Sequence, residues 1–390
     1  ERSRLRYDGF EDQSMFVSLA DWLAHEPDEP GRMFRWTQSG GGDIRMLTDG
    51  WTYTHAAWVW SSGVPAARLI WHDLPLLFVW AVPLAVFALA YEVTQREETA
   101  AWSAAALVLV GLLTVDGLVY RYNPLAFGAA AVFEFNTLRK ASIALMLPLA
   151  LLAALSYLRR PRPIDLPAVW LAGLALAMMH PQQVMIFLVS IGATTGLWWL
   201  AGRTRRRAAQ GSALVIVLAV VMILPFVQRS QDAVGAIRAT GEAEQSFLPP
   251  ATPAAAPAAG VTVEQHQTSR ARVLVIDNLP VLGATYVLDP SLIAYHPAIA
   301  LAAILGLAAV VGWRRSLAAQ YIFGSTGAAL LLMFTPGLAP LFARVVSLNA
   351  AQAVVLVVPV ALAWGCGLDA LLRGLGRLGV IRQTGLWWMV

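Results

Sequence analysis

The chain is short of charge, of cysteine and of lysine, and each shortage excludes something. Only 13% of its 390 residues are charged, against about 25% in a soluble domain, so most of the surface must face lipid. The single cysteine, Cys366, lies in an apolar run, which leaves no internal disulfide to form. The single lysine is Lys140, and arginine supplies every other basic side chain. Gly40-Gly41-Gly42 has no Lys-Ser or Lys-Thr after it, so it is no phosphate loop. No Gly-x-Ser-x-Gly nucleophile elbow is present. His25, His55, His72, His266 and His296 lack a second ligand at zinc spacing. The formal charge of +4 does not imply a nucleic-acid partner, because the arginines cluster at the ends of apolar runs.

What is abundant is apolar: 58% of the residues are hydrophobic and the mean hydropathy is +0.60. Residues 1–73 are the exception, being polar and aromatic. Helices are predicted there over 14–25 and 52–61, the second capped by Thr48 or Asp49 and ended by the turn Ser61-Ser62-Gly63-Val64-Pro65. Beyond residue 73, apolar segments approach the ~20 residues that cross a bilayer. They are Leu74–Thr94, Ala100–Tyr120, Ala141–Leu158, Leu166–Met179, Val184–Ala201, Ser212–Val227, Ala298–Gly312, Leu317–Phe334 and Ala350–Leu368. Pro124–Phe135 is too brief to span and reads as re-entrant, which requires protein to cover its backbone. The chain opens at Glu1 without a signal-peptide pattern, and a membrane segment upstream is expected. Trp387-Trp388-Met389-Val390 reads as the start of a further helix.

Arginine positions orient these segments. Arg159-Arg160-Pro161-Arg162, Arg203 with Arg205-Arg206-Arg207, Trp313-Arg314-Arg315 and Arg373/Arg377/Arg382 fall on alternate loops. The positive-inside rule makes those loops cytoplasmic, and Gln95-Arg96-Glu97-Glu98 joins them. About nine crossings satisfy the pattern, provided that His180-Pro181-Gln182-Gln183 is a turn between two passes. The domain plan is then an acidic non-cytoplasmic loop with amphipathic helices over 1–73, a first bundle over 74–227, and a long outer loop over 228–296. C-terminal membrane helices follow over 297–368, and 369–390 is a cytoplasmic tail or the start of a further helix. In the outer loop, Leu248–Gly260 is a Pro/Ala-rich flexible linker, while Arg272–Ile276 looks strand-like and Tyr286–Tyr295 turn-like. The fold class expected is all-α, a polytopic integral membrane protein.

The outward face collects the chemistry-bearing residues. Asp8, Glu11 and Asp12 put three carboxylates within five residues, just before a helix. Carboxylate oxygens suit a hard divalent cation such as Mg or Mn, and a carboxylate can take the proton of an attacking hydroxyl. Acids at a helix start also complement its dipole with no further role. Arg139-Lys140 opens a membrane helix on the outer side, where either can pair with a lipid phosphate or simply snorkel to the interface. Arg121, between Tyr120 and Tyr122, and Arg344, in the Thr335–Asn349 loop, are further phosphate candidates. His180 stands at an outward helix end with Pro181 at a first helical position; it can meet a phosphate, ligate a metal beside the acids, or serve as a structural hydrogen-bonder. Glu134 and Asp116 are acids near or within apolar runs, where such residues need partners.

Glu11-Asp12 on an outward loop ahead of a helix, with Asp49-Gly50-Trp51-Thr52-Tyr53, the Ser62-Gly63-Val64 turn and the alternating apolar helices after it, resembles the GT-C fold glycosyltransferases. The resemblance covers residues 1–200 as layout and Glu11-Asp12 as a motif. It implies inverting sugar transfer from a polyprenyl-phosphate donor to a glycan, lipid or protein acceptor, on the non-cytoplasmic face of a bacterial plasma membrane. It makes Asp12 the first choice of base and Glu11 the second. Asp8, Glu11 and Asp12 become the metal candidates, and Lys140, Arg139, Arg121, His180 and Arg344 the donor-phosphate ligands. The competing readings are a transporter or flippase for a lipid or glycan, which needs ionisable groups near the midplane and internal repeats, and a non-catalytic partner in cell-envelope synthesis.

Overall fold

A computed structural model describes residues 20–21, 24–25, 50–69, 73–112, 145–179, 181–201, 209–220, 262–267, 272–294, 297–312, 314, 316–346 and 348–377. Over these residues the chain is mostly helical, with a single three-stranded sheet. The helices are α1 (Gly50–Ser62), α2 (Leu74–Thr94), α3 (Glu97–Leu112), α4 (Leu147–Arg159), α5 (Leu166–Met179), α6 (Pro181–Ala201) and α7 (Ala209–Val220). After the strands β1 (Thr262–Gln267), β2 (Arg272–Leu279) and β3 (Gly283–Leu288) come α8 (Pro297–Ala308), α9 (Leu317–Phe334), α10 (Leu338–Val346) and α11 (Val360–Arg377). Three stretches are long and apolar enough to cross a membrane: Gln183–Leu200, Leu317–Phe334 and Val354–Gly376. Shorter apolar helices include Trp80–Thr94, Leu147–Arg159 and Ala298–Gly312.

Local chemistry explains the boundaries. The turn after α1 forms where Gly63 takes φ +66° and its N–H reaches the Val59 carbonyl, while Val64 N–H donates to Ser62 Oγ. At the end of α2, Gln95 takes the left-handed conformation and its N–H bonds the Tyr91 carbonyl. The Gln95 side-chain amide also donates to the carbonyls of Tyr91 and Glu92, satisfying acceptors that every helix end leaves open. α3 then starts with Glu97 and Glu98 in its first turn, where acids complement the dipole. Ser316 caps α9 by accepting from Ala319 N–H.

Packing between apolar helices in lipid depends on close approach rather than on hydrophobic expulsion. Gly365 of α11 lies flat against the backbone of Ser103 in α3, so that a Cβ there would collide with main-chain as well as side-chain atoms. Gly324 of α9 sits against Ala193 of α6 in the same way. Indole N–H groups add cross-links: Trp198 to Gln320 Oε1 at 2.6 Å, Trp199 to Ser212 Oγ at 3.0 Å and Trp364 to the Ala298 carbonyl at 3.0 Å.

Three expectations need correction. The chain is not all-α, because the segment predicted as strand-like grows into an antiparallel sheet in the order β1-β2-β3. Val273 and Val275 alternate inward along β2, and Gly283 at φ +66° completes the tight β2–β3 turn. Secondly, Thr335–Asn349 is no loop. It holds α10, whose Ala339 and Ala343 are buried one turn apart while Leu338 and Leu341 stay exposed. Thirdly, the last helix does not stop at Leu368. Residues 353–357 form a 3-10 turn, and α11 begins at Val360 and runs to Arg377, since the Asp369 carboxylate has partners that let it stay helical and buried. Pro124–Phe135 and Leu248–Gly260 lie outside the described residues.

Candidate functional site

The two ends of the helix bundle are built differently. At the arginine end, the α2–α3 turn and the first turn of α3 meet α11 at Asp369, which is 4% exposed. Its carboxylate accepts from Thr99 Oγ1 at 2.6 Å and from the Arg373 guanidinium at 2.9 Å, with Arg96 at 3.5 Å. A second tie joins α4 to α2, where Arg159 donates to the Glu92 carbonyl and lies 3.6 Å from the Glu92 carboxylate. This cluster joins helices distant in sequence, and its donors and acceptors are matched. Its chemistry is that of a lock.

The opposite end carries the sheet, packed on α9 and α10. There Asp289, also 4% exposed, is satisfied locally by Gln265 Nε2 at 2.7 Å and by Ser291 N–H at 2.8 Å. Tyr286, one of the buried positions of β3, is not satisfied. It is 6% exposed, and its hydroxyl makes no hydrogen bond with any described residue. Burial pushes the phenol pKa up to about 12, with the positive charge of Arg344 opposing the rise. The phenol therefore stays neutral, with its oxygen closed off from the surface. Arg344 is exposed in the last turn of α10 and forms no ion pair with any described residue. Gln183, in the first turn of α6, is fully buried with neither amide atom hydrogen-bonded. A buried polar atom without a partner is uncommon in folded proteins and calls for a reason.

Of the residues the sequence singles out, Arg344 is the one described. Asp8, Glu11, Asp12, Arg121, Arg139, Lys140 and His180 lie outside the described residues. Among the described residues no group of three His, Cys, Asp or Glu side chains could hold a metal ion. The unpartnered Tyr286 and Gln183 and the buried Asp369 were missed from sequence. Tyr286 had one visible signal, a phenol inside the apolar run Tyr286-Val287-Leu288, but its lack of a partner depends on non-local packing.

His55 is a second titratable group displaced by burial. It is buried in α1, its ring edge-on to Trp58 at 6.1 Å, and burial lowers its pKa to about 4. At neutral pH it is an uncharged imidazole. No family model, curated protein or solved structure matches the chain.

Proposed function

We propose that this chain is a membrane glycosyltransferase of GT-C type that moves a sugar from a polyprenyl-phosphate carrier to a glycan, lipid or protein acceptor on the non-cytoplasmic face of a bacterial plasma membrane. The observation that supports it is the division of polar groups along the bundle. Among the described residues, the charged side chains of α2, α3 and α4 stand at helix ends, Asp369 lies midway along α11, and the matched cluster occupies one end of the bundle only. The other end keeps an exposed arginine, Arg344, a donor suited to a phosphate leaving group. A transporter or flippase would call for ionisable groups near the midplane, and neither α6 nor α9 carries an Asp, Glu, Lys, Arg or His.

In this reading about nine helices cross the bilayer, 124–135 dips in from the outer side, and the acids of the first loop close over the chamber. Asp12, with Glu11 as second choice, takes the proton of the acceptor hydroxyl as its oxygen bonds to the anomeric carbon. The bond from that carbon to the phosphate oxygen breaks, the configuration inverts, and polyprenyl phosphate leaves with the electron pair. Lys140, Arg139, Arg121, His180 and Arg344 are the groups assigned to that developing charge. A divalent cation such as Mg or Mn, where the reaction uses one, would sit on Asp8, Glu11 and Asp12 and neutralise the same phosphate.

The test is turnover of labelled polyprenyl-phosphate sugars by membranes carrying the protein. Asp12→Asn or Glu11→Gln should lower the rate by about a hundredfold or more, the scale of a lost general base. Turnover indifferent to both changes removes these acids from the chemistry, and no turnover with any donor removes the transferase reading.

A further inference from the structure

The β2–β3 hairpin turns through Asn278-Leu279-Pro280-Val281-Leu282-Gly283, and its outermost side chains are apolar where a turn in water ordinarily carries polar ones. Val281 is fully exposed at φ +76°, a left-handed conformation that Gly or Asn takes readily and a β-branched residue rarely takes. An aliphatic side chain kept at a strained, exposed position points to a use for it. Leu282, also exposed, lies beside the turn that leads from α9 into α10: its Cδ1 is 3.6 Å from the place a Cβ on Gly337 would take. From that turn α10 exposes Leu338 and Leu341 on the side away from its buried Ala339 and Ala343. Between Asp277 and Asp289, and again between Arg315 and Arg344, the chain carries no charged side chain.

The span α9 sets the height of these side chains. Its 18 residues make a rod about 27 Å long, close to the ~30 Å of hydrocarbon in a bilayer, so a crossing α9 brings Phe334 to the boundary of the core. Leu331, one turn before that end, is exposed, and the exposed leucines of α10 and the hairpin tip continue its apolar surface just beyond it. We propose that the β2–β3 hairpin tip and α10 form one apolar wedge seated in the headgroup–acyl boundary of the leaflet where α9 ends, with Val281, Leu282, Leu338 and Leu341 as the inserted side chains. The occupant of this face is lipid, because a charge-free surface continuous with a membrane span, at the height where water meets acyl chains, is relieved of water by the bilayer itself. The sheet then rides on the leaflet, held at the hairpin tip and at α10. The inference rests on α9 crossing the bilayer and holds whichever reaction the chain performs.

The experiment uses the full chain in lipid nanodiscs holding one copy each, in a Cys366→Ala background so that a single introduced cysteine carries an environment-sensitive fluorophore. Val281→Cys and Leu341→Cys report on the wedge, and Glu264→Cys, on β1 of the same sheet, is the reference. All three side chains are exposed, so replacing them leaves the core intact. Brominated phosphatidylcholine in the disc should quench most of the emission of the labels at Val281 and Leu341 and leave that at Glu264 nearly unchanged. Bromines near the headgroup end of the acyl chain should quench more than bromines near its methyl end, because an interfacial element sits only about 5–10 Å into the boundary. An unquenched label at either wedge position overturns the proposal, and a blue-shifted emission without quenching assigns the face to protein instead of lipid. Stronger quenching from the methyl end overturns the interfacial placement. Unquenched emission that turns blue only when two copies share a disc assigns the tip to a second copy and overturns the wedge as well.

Discussion

Asp369 and Tyr286 are buried to nearly the same degree, yet one is surrounded by partners and the other has none. The carboxylate at the arginine end receives a threonine hydroxyl and a guanidinium, with a second guanidinium at 3.5 Å. The phenol at the sheet end is left with a free hydroxyl and the field of a nearby arginine. Burial of a polar group costs free energy wherever it occurs, and hydrogen bonding recovers it. An end in which that recovery is complete contributes to holding the fold, whereas an end in which it is incomplete has capacity left for a ligand. The difference assigns stability to one end of the bundle and binding to the other.

The comparison breaks most readily at the α3–α11 contact. Gly365→Val drives a side chain into the backbone of Ser103, and thermal unfolding in detergent should show a loss of about 3 kcal/mol. Gly374→Ala on the same helix, where an added Cβ meets nothing within 4 Å, should stay within about 0.5 kcal/mol of wild type. If both behave alike, the close approach is not what holds the arginine end. Asp369→Ala comes next, with an expected loss of about 2 kcal/mol: Thr99 loses its acceptor, while Arg96 and Arg373 are partly exposed and recover hydration.

His55 supplies a pH dependence that belongs to neither end. Its folded pKa of about 4 lies below the ordinary 6.5, so the unfolded chain binds the extra proton first. The stability it contributes is present above pH 6.5 and is lost as the pH falls from there through 4, by about 3 kcal/mol. His55→Gln should flatten that part of the profile in a pH series of unfolding temperatures, and an unchanged slope would mean another group titrates there. The smallest effect sharpens the contrast instead of breaking it. Tyr286→Phe deletes a hydroxyl that bonds to nothing, so unfolding without added lipid should move by less than about 0.5 kcal/mol.

Much of the helical frame was legible in the residues. Leu74–Thr94, Leu166–Met179 and Leu317–Phe334 were bounded in sequence by Asp73 and Gln95, by Asp165 and His180, and by Ser316 and Thr335, and the helices take those limits. Hydropathy reads such spans well because each helix satisfies its own backbone. It failed where a charge is neutralised from afar: Asp369 looks like the end of a span until Arg96, in the α2–α3 turn, and Thr99, on α3, are placed beside it. It failed again at α10, where a short amphipathic turn between two apolar runs carries too little pattern to stand out. The sheet was half legible, since Val273 and Val275 show the alternation of β2 but nothing local reveals its partners β1 and β3. Arg344 was readable as an exposed cation, but the hydroxyl it stands near was not, since Tyr286 becomes informative only when pairing and packing leave it without an acceptor.

The most direct test of the contrast between the ends is the rise in unfolding temperature that a saturating phosphate-bearing lipid produces, measured for Arg344→Gln and for Asp369→Asn in the same detergent. A ligand that binds only the folded chain raises the midpoint in proportion to its occupancy. The rise should shrink markedly in Arg344→Gln and persist in full in Asp369→Asn, although the second protein melts lower throughout. A rise that survives in Arg344→Gln and disappears in Asp369→Asn would place the binding capacity at the arginine end and contradict the account.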